Sequence, residues 1–63
     1  MTTIKSLYEC YKVNQDDPFP LARTIAEAQL RQYNKLIAAG YTEDDDLDQI
    51  LIEHPEFSIV GAM

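Results

Sequence analysis

The sequence is short of nearly everything that would announce an activity. Its 63 residues include one cysteine, one histidine, two glycines and no tryptophan. A lone Cys10 allows no internal disulfide and fits a reducing compartment. Cys10 and His54 are the sole candidates for a nucleophile–base pair, and neither sits in a local catalytic signature. The expected roles are structural: an inert, at least half-buried thiol, and a helix-terminal histidine over the edge of the core. Glycines confined to Gly40 and Gly61 leave no phosphate-cradling loop. No spacing of His54 with carboxylates suggests a metal site. So small a chain has little room for a water-excluding cavity, so the expectation is no enzyme and no cofactor. The longest aliphatic run, Leu36–Ala39, is far too short for a bilayer, and no charged-then-apolar leader opens the chain. A cytoplasmic protein without membrane contact is expected.

Positive charge is missing from one half. Residues 1–40 hold all five Lys/Arg against four Asp/Glu, whereas residues 41–63 hold seven Asp/Glu and no Lys/Arg. That imbalance argues against nucleic acid as a direct ligand, because phosphate contacts need clustered cations. It suits a basic protein partner, since complementary potentials speed encounter and suppress wrong partners. The apolar fraction of 46% is that of a folded chain. A domain this small buries only about 60% of its unfolded surface, and a partner or second copy would stabilise it by mass action.

The clearest element is a helix over Thr24–Gly40. Thr24 and Glu27 stand in capping-box relation, strong helix formers follow, and Gly40 suits the left-handed position that ends many helices. Ile25, Ala28, Leu36 and Ala39 fall on one side and Ala26, Leu30, Tyr33 and Ile37 on the adjoining one, so neighbours are expected on two sides. Asn14–Pro20 is turn chemistry, with Leu21–Arg23 a brief extended piece. A second helix is expected from Thr42 as N-cap to a stop at Pro55, and a short strand over Glu56–Val60. Residues 1–13 fit two periods: Ile4, Leu7, Tyr8 and Tyr11 as a helix, or Ile4, Tyr8 and Cys10 against Leu7, Tyr11 and Val13 as a strand. Residue types and a poor N-cap lean towards the strand. The expected fold is therefore a single α+β domain over residues 1–63, two antiparallel helices on a two- or three-stranded antiparallel sheet. An all-α three-helix bundle is the alternative.

The most conspicuous stretch is Glu43-Asp44-Asp45-Asp46-Leu47-Asp48. Asp44, Asp46 and Asp48 have the odd spacing of calcium-loop ligands, but Gln49 stands where such a loop needs Gly and Pro55 where it needs Glu. A capped, solvated helix start accounts for some of these acids. Two would serve one helix dipole, and five are present. The surplus nominates Glu43, Asp44, Asp45, Asp46 and Asp48 as a partner-binding face, which Asp16, Asp17, Glu53 and Glu56 could enlarge. Such a face could imitate a row of DNA phosphates, as small acidic inhibitors of phages and other mobile elements do, and occupy a nucleic-acid-processing protein. Most of the six aromatic rings should be core, but Phe19, stiffly held between Pro18 and Pro20, is expected to be exposed and to join the binding site. The functional expectation is an acidic inhibitor or adaptor that docks on a basic protein, with a structural homodimer as the alternative.

Overall fold

The computed structural model describes residues 2–58, and these form three α-helices: α1 (Ile4–Asp16), α2 (Pro20–Ala38) and α3 (Leu47–Glu53). A single 3-10 turn, Pro55–Phe57, follows α3. The expected α+β sheet is absent among the described residues, where one isolated antiparallel bridge, Thr3 to Asp46, is the sole strand-like pairing. The all-α alternative is the one that fits. Of the expected C-terminal strand, Glu56 and Phe57 lie in the 3-10 turn, and Ile59 and Val60 fall outside the described residues.

The first segment is helical because its orphan N–H groups are met from elsewhere in the chain. A helix start leaves its first N–H groups without intrahelical partners. Here Ile4 N–H donates to the Asp45 carbonyl (3.2 Å) and Lys5 N–H to the Glu43 carbonyl (3.0 Å). Ser6 N–H donates to Thr3 Oγ1 at 3.2 Å. The local sequence supplies a single capping side chain, Thr3. The rest comes from a loop some forty residues on, so the strand expected over residues 1–13 is a helix from Ile4 onwards.

α2 starts four residues before Thr24. Pro20 is its first residue, where a missing N–H costs nothing, and Phe19 is the N-cap. Asp17 Oδ1 accepts from Phe19 N–H at 3.0 Å and tightens the turn. The capping box at Thr24–Glu27 does not form. Thr24 lies inside the helix and its hydroxyl donates back to the Pro20 carbonyl. Leu21–Arg23, expected to be extended, is helical. The far end follows expectation: Gly40 has φ +101°, its N–H donates to the Ile37 carbonyl, and Tyr41 N–H reaches the Leu36 carbonyl. This is a Schellman ending, and Tyr41 also packs on the apolar cluster that contains Leu36.

The three-residue link Asp17–Phe19 folds α2 back on α1 as an antiparallel hairpin. Asn14 Nδ2 donates to Gln29 Oε1 (2.9 Å) near the link, and the Tyr8 and Tyr33 rings pair at 4.9 Å farther along. The core sits at the end remote from the link. Ile4, Leu7, Leu36, Leu47 and Ile50 are its buried members, with Tyr33, Tyr41, Leu51 and Phe57 packed against them. Towards the link, the buried residues of α2 are Ala26, Ala28, Gln29 and Gln32. The interface there is small and partly polar, and Ile25 on its flank is 39% exposed.

Gly40 faces open space, with nothing within 4 Å of a Cβ built on it. Gly40→Ala should therefore destabilise through backbone conformation alone, by about 1–2 kcal/mol. Urea unfolding would show this as a lower midpoint at unchanged slope.

Candidate protein-docking surface

The acidic run is a loop before it is a helix. Tyr41–Asp46 carries the chain from the end of α2 to the start of α3, and α3 begins at Leu47 rather than after Thr42. Thr42 and Asp45 do form half of a capping box: Asp45 Oδ2 accepts from Thr42 N–H at 2.7 Å, but the pair closes a turn. Asp46 is the cap of α3, its Oδ1 accepting from Asp48 N–H (3.0 Å) and Gln49 N–H (3.4 Å). Leu47 N–H, the remaining orphan, donates to the Thr2 carbonyl at 2.8 Å. So the loop's carbonyls cap α1, and Thr2, two residues before α1, caps α3.

The carboxylates divide by role. Asp45 and Asp46 are half-buried and engaged in backbone caps. Glu43 is exposed, and its Oε1 accepts from the Tyr33 hydroxyl at 3.1 Å. Asp44 and Asp48 are exposed, and neither side chain makes a hydrogen bond or ion pair among the described residues. All five lie around the N-termini of α1 and α3, each equivalent to at most about half a positive charge. Lys5, in the first turn of α1, adds one more. The C-terminus of α2 lies at the same end, where Lys35 in its last turn outweighs its negative dipole end. Five carboxylates exceed this local positive charge by about two to three. Helix capping thus accounts for part of the run and leaves an excess on a backbone pinned at both edges.

The remaining nominated residues are not gathered there. Phe19 is 70% exposed at the α1–α2 link, and Asp16 and Asp17 lie beside it. The thirteen residues of α1 separate that link from the acidic loop by roughly 20 Å. Phe19 therefore belongs to a different surface and does not share a contact with Asp44 and Asp48. Glu53 accepts from Gln49 Nε2 (3.0 Å) and Glu56 pairs with His54 Nδ1 (3.4 Å), both towards the far end of α3.

Cys10 is exposed, in contrast to the half-buried thiol expected, because position 10 points away from the α2-facing stripe of α1. No hydrogen bond joins it to His54 among the described residues, and the His54 ring instead stands edge-on to Phe57 at 6.1 Å. Among the described residues, no three His, Cys, Asp or Glu side chains are grouped to hold a metal ion, and no helix is long and apolar enough to cross a membrane. The buried amides Gln29 and Gln32 escaped sequence reasoning, since polar residues carry no weight in an apolar periodicity. Gln29 falls between the two apolar sides of α2 and Gln32 on the side of Ile25, Ala28 and Leu36, and that position was the available signal.

Two tests address this end of the molecule. Asp46→Ala should cost about 0.5–2 kcal/mol through loss of the α3 cap, and Asp46→Asn much less, as compared by thermal melts. The hydrogen bond to Glu43, aided by partial burial and the Glu43 charge, holds the Tyr33 hydroxyl above its ordinary value of 10.0. A raised folded-state value means that this stabilisation is complete below pH 10 and is lost as pH rises through the folded midpoint. Glu43→Gln should lower the Tyr33 midpoint, read from its ring carbon shift by NMR, and an unmoved midpoint would refute the bond.

A comparison with protein families, curated proteins and solved structures finds no match to this chain.

Proposed function

We propose that this protein is a non-enzymatic binding module, an inhibitor or adaptor, that docks on a basic protein surface through its acidic loop. The observation that carries the reading is the carboxylate excess on a fixed backbone. Glu43 and Asp44 project from a loop whose main chain is pinned to α1, and Asp48 projects from the first turn of α3. Binding by such a loop orders little that is not already ordered, so less affinity is lost to entropy. Charges held together within a Debye length of about 8 Å act on an approaching cation as one. A surface built to take nucleic-acid phosphates, as on a nucleic-acid-processing protein, is the chemistry that best answers them. In that role the loop would stand in for phosphates.

The residues to test are those that do no capping. Asp44→Asn and Asp48→Asn should leave the melting temperature nearly unchanged while weakening partner binding roughly two- to five-fold each, the range of an exposed ion pair. The protein serves as bait in a lysate pull-down eluted with salt, and the captured partner is then titrated against wild type and double variant. Wild-type affinity should fall steeply with salt, and that of the double variant less so. Equal affinities and equal salt slopes would overturn the reading.

A further inference from the structure

A row of aromatic rings adjoins the acidic loop. Tyr33 and Tyr8 face each other across the α1–α2 hairpin with ring centroids 4.9 Å apart, and Tyr11 follows Tyr8 at 5.6 Å. All three are partly buried, so ring surface stays open to solvent. Glu43 stands at one end of the row and uses one of its two oxygens, Oε1, on the Tyr33 hydroxyl. Beyond the other end Arg23 lines a groove with Tyr11. A cation already sits on the row, for Lys12 Nζ lies 4.9 Å from the Tyr8 centroid.

We propose that this row receives arginine side chains of the basic partner, a guanidinium stacking on Tyr8 or Tyr33 while its N–H groups reach Glu43. This rests on the docking of a basic protein at the acidic loop and identifies the side chain that the partner presents. Arginine is selected on three grounds. The negative face of a tyrosine ring attracts a cation, and Lys12 occupies such a face here. A flat guanidinium can lie on a ring and still turn its fork of donors to a carboxylate at the ring edge, where the Tyr33 bond holds Glu43. The compact, strongly hydrated ammonium of a lysine stacks less well and has no such fork. A nucleobase would stack on the same rings, but its phosphates would meet Glu43 and the acidic loop. Charge along the row gives it a direction, since Arg23 at the far end repels a guanidinium and Glu43 draws it in. Lys12 is then the chain's own stand-in, on an exposed and flexible stem that the incoming arginine displaces.

The probes are two short peptides, acetyl-triarginine amide and acetyl-trilysine amide, titrated into the full chain at low salt and followed by NMR. The arginine peptide should bind roughly two- to five-fold tighter, the worth of one exposed cation–π contact. Its side-chain Hδ protons should move upfield under the ring current. Tyr8→Leu should bind the two peptides alike. Lys12→Ala, at an exposed position, keeps the test open if that variant does not fold. Baring the ring should raise the preference for arginine, whereas Lys5→Ala, which removes the same charge one turn of α1 away from Tyr8, should strengthen both peptides alike. Asp44→Asn, Asp48→Asn should weaken both and keep their ratio. Equal affinities for the two peptides in wild type, or an unchanged preference in Lys12→Ala, would overturn the proposal. If the acidic-loop variant still weakened both peptides, the docking reading would stand without it. An arginine preference with no weakening in that variant would uphold the row and count against the loop.

Discussion

Two helix starts that cap one another hold this molecule together. Where Thr3 bridges Asp46, the carbonyls of Glu43 and Asp45 take the first N–H groups of α1, and the Thr2 carbonyl takes the first of α3. With Thr3 and Asp46 supplying side-chain caps, the exposed donors at both helix starts have partners. The arrangement brings two positive dipole ends close together, which would be unfavourable without compensating charge. The acidic run supplies it. It also fixes where α3 lies, and with it the part of the core contributed by Leu47 and Ile50.

What could be read from the sequence was whatever neighbouring residues decide among themselves. The middle of α2, the left-handed Gly40 and the stop before Pro55 each follow from local rules of propensity, handedness and missing donors, and each is present. The failures have the opposite character. Residues 4–16 are a helix because carbonyls forty residues away cap them, and no window on α1 contains that information. Thr24 and Glu27 have the spacing of a helix start, yet the Pro20 ring and the Asp17–Phe19 turn offer an earlier one. The sheet followed from the first error, since its first strand was to come from residues 4–13, which are helical.

The acidic stretch was legible as important and illegible in its division of labour. Sequence treats Asp44, Asp45 and Asp46 as equivalent, and folding does not. Asp45 and Asp46 turn their oxygens to backbone N–H groups, while Asp44 and Asp48 face water. A neutralising change spread over all of them would mix loss of fold with loss of charge. Phe19 is exposed, as its place between two prolines implies, but its distance from the acids follows from the α1–α2 hairpin, which no local pattern specifies.

The mutual caps also set the order in which the molecule can come apart. The hairpin joins residues close in sequence, such as Asn14 and Gln29, whereas the Thr3–Asp46 crossing closes a loop of more than forty residues. Closing the longer loop costs more chain entropy and is repaid only once α3 has docked, so the hairpin is the natural early structure and α3 the late one. In the native state the same asymmetry makes α3 and the acidic loop a single latch. Their amides should therefore share one opening event, which bares Leu7 and Leu36 while the α1–α2 turn stays shut, and hydrogen exchange there should report a smaller free energy than global unfolding.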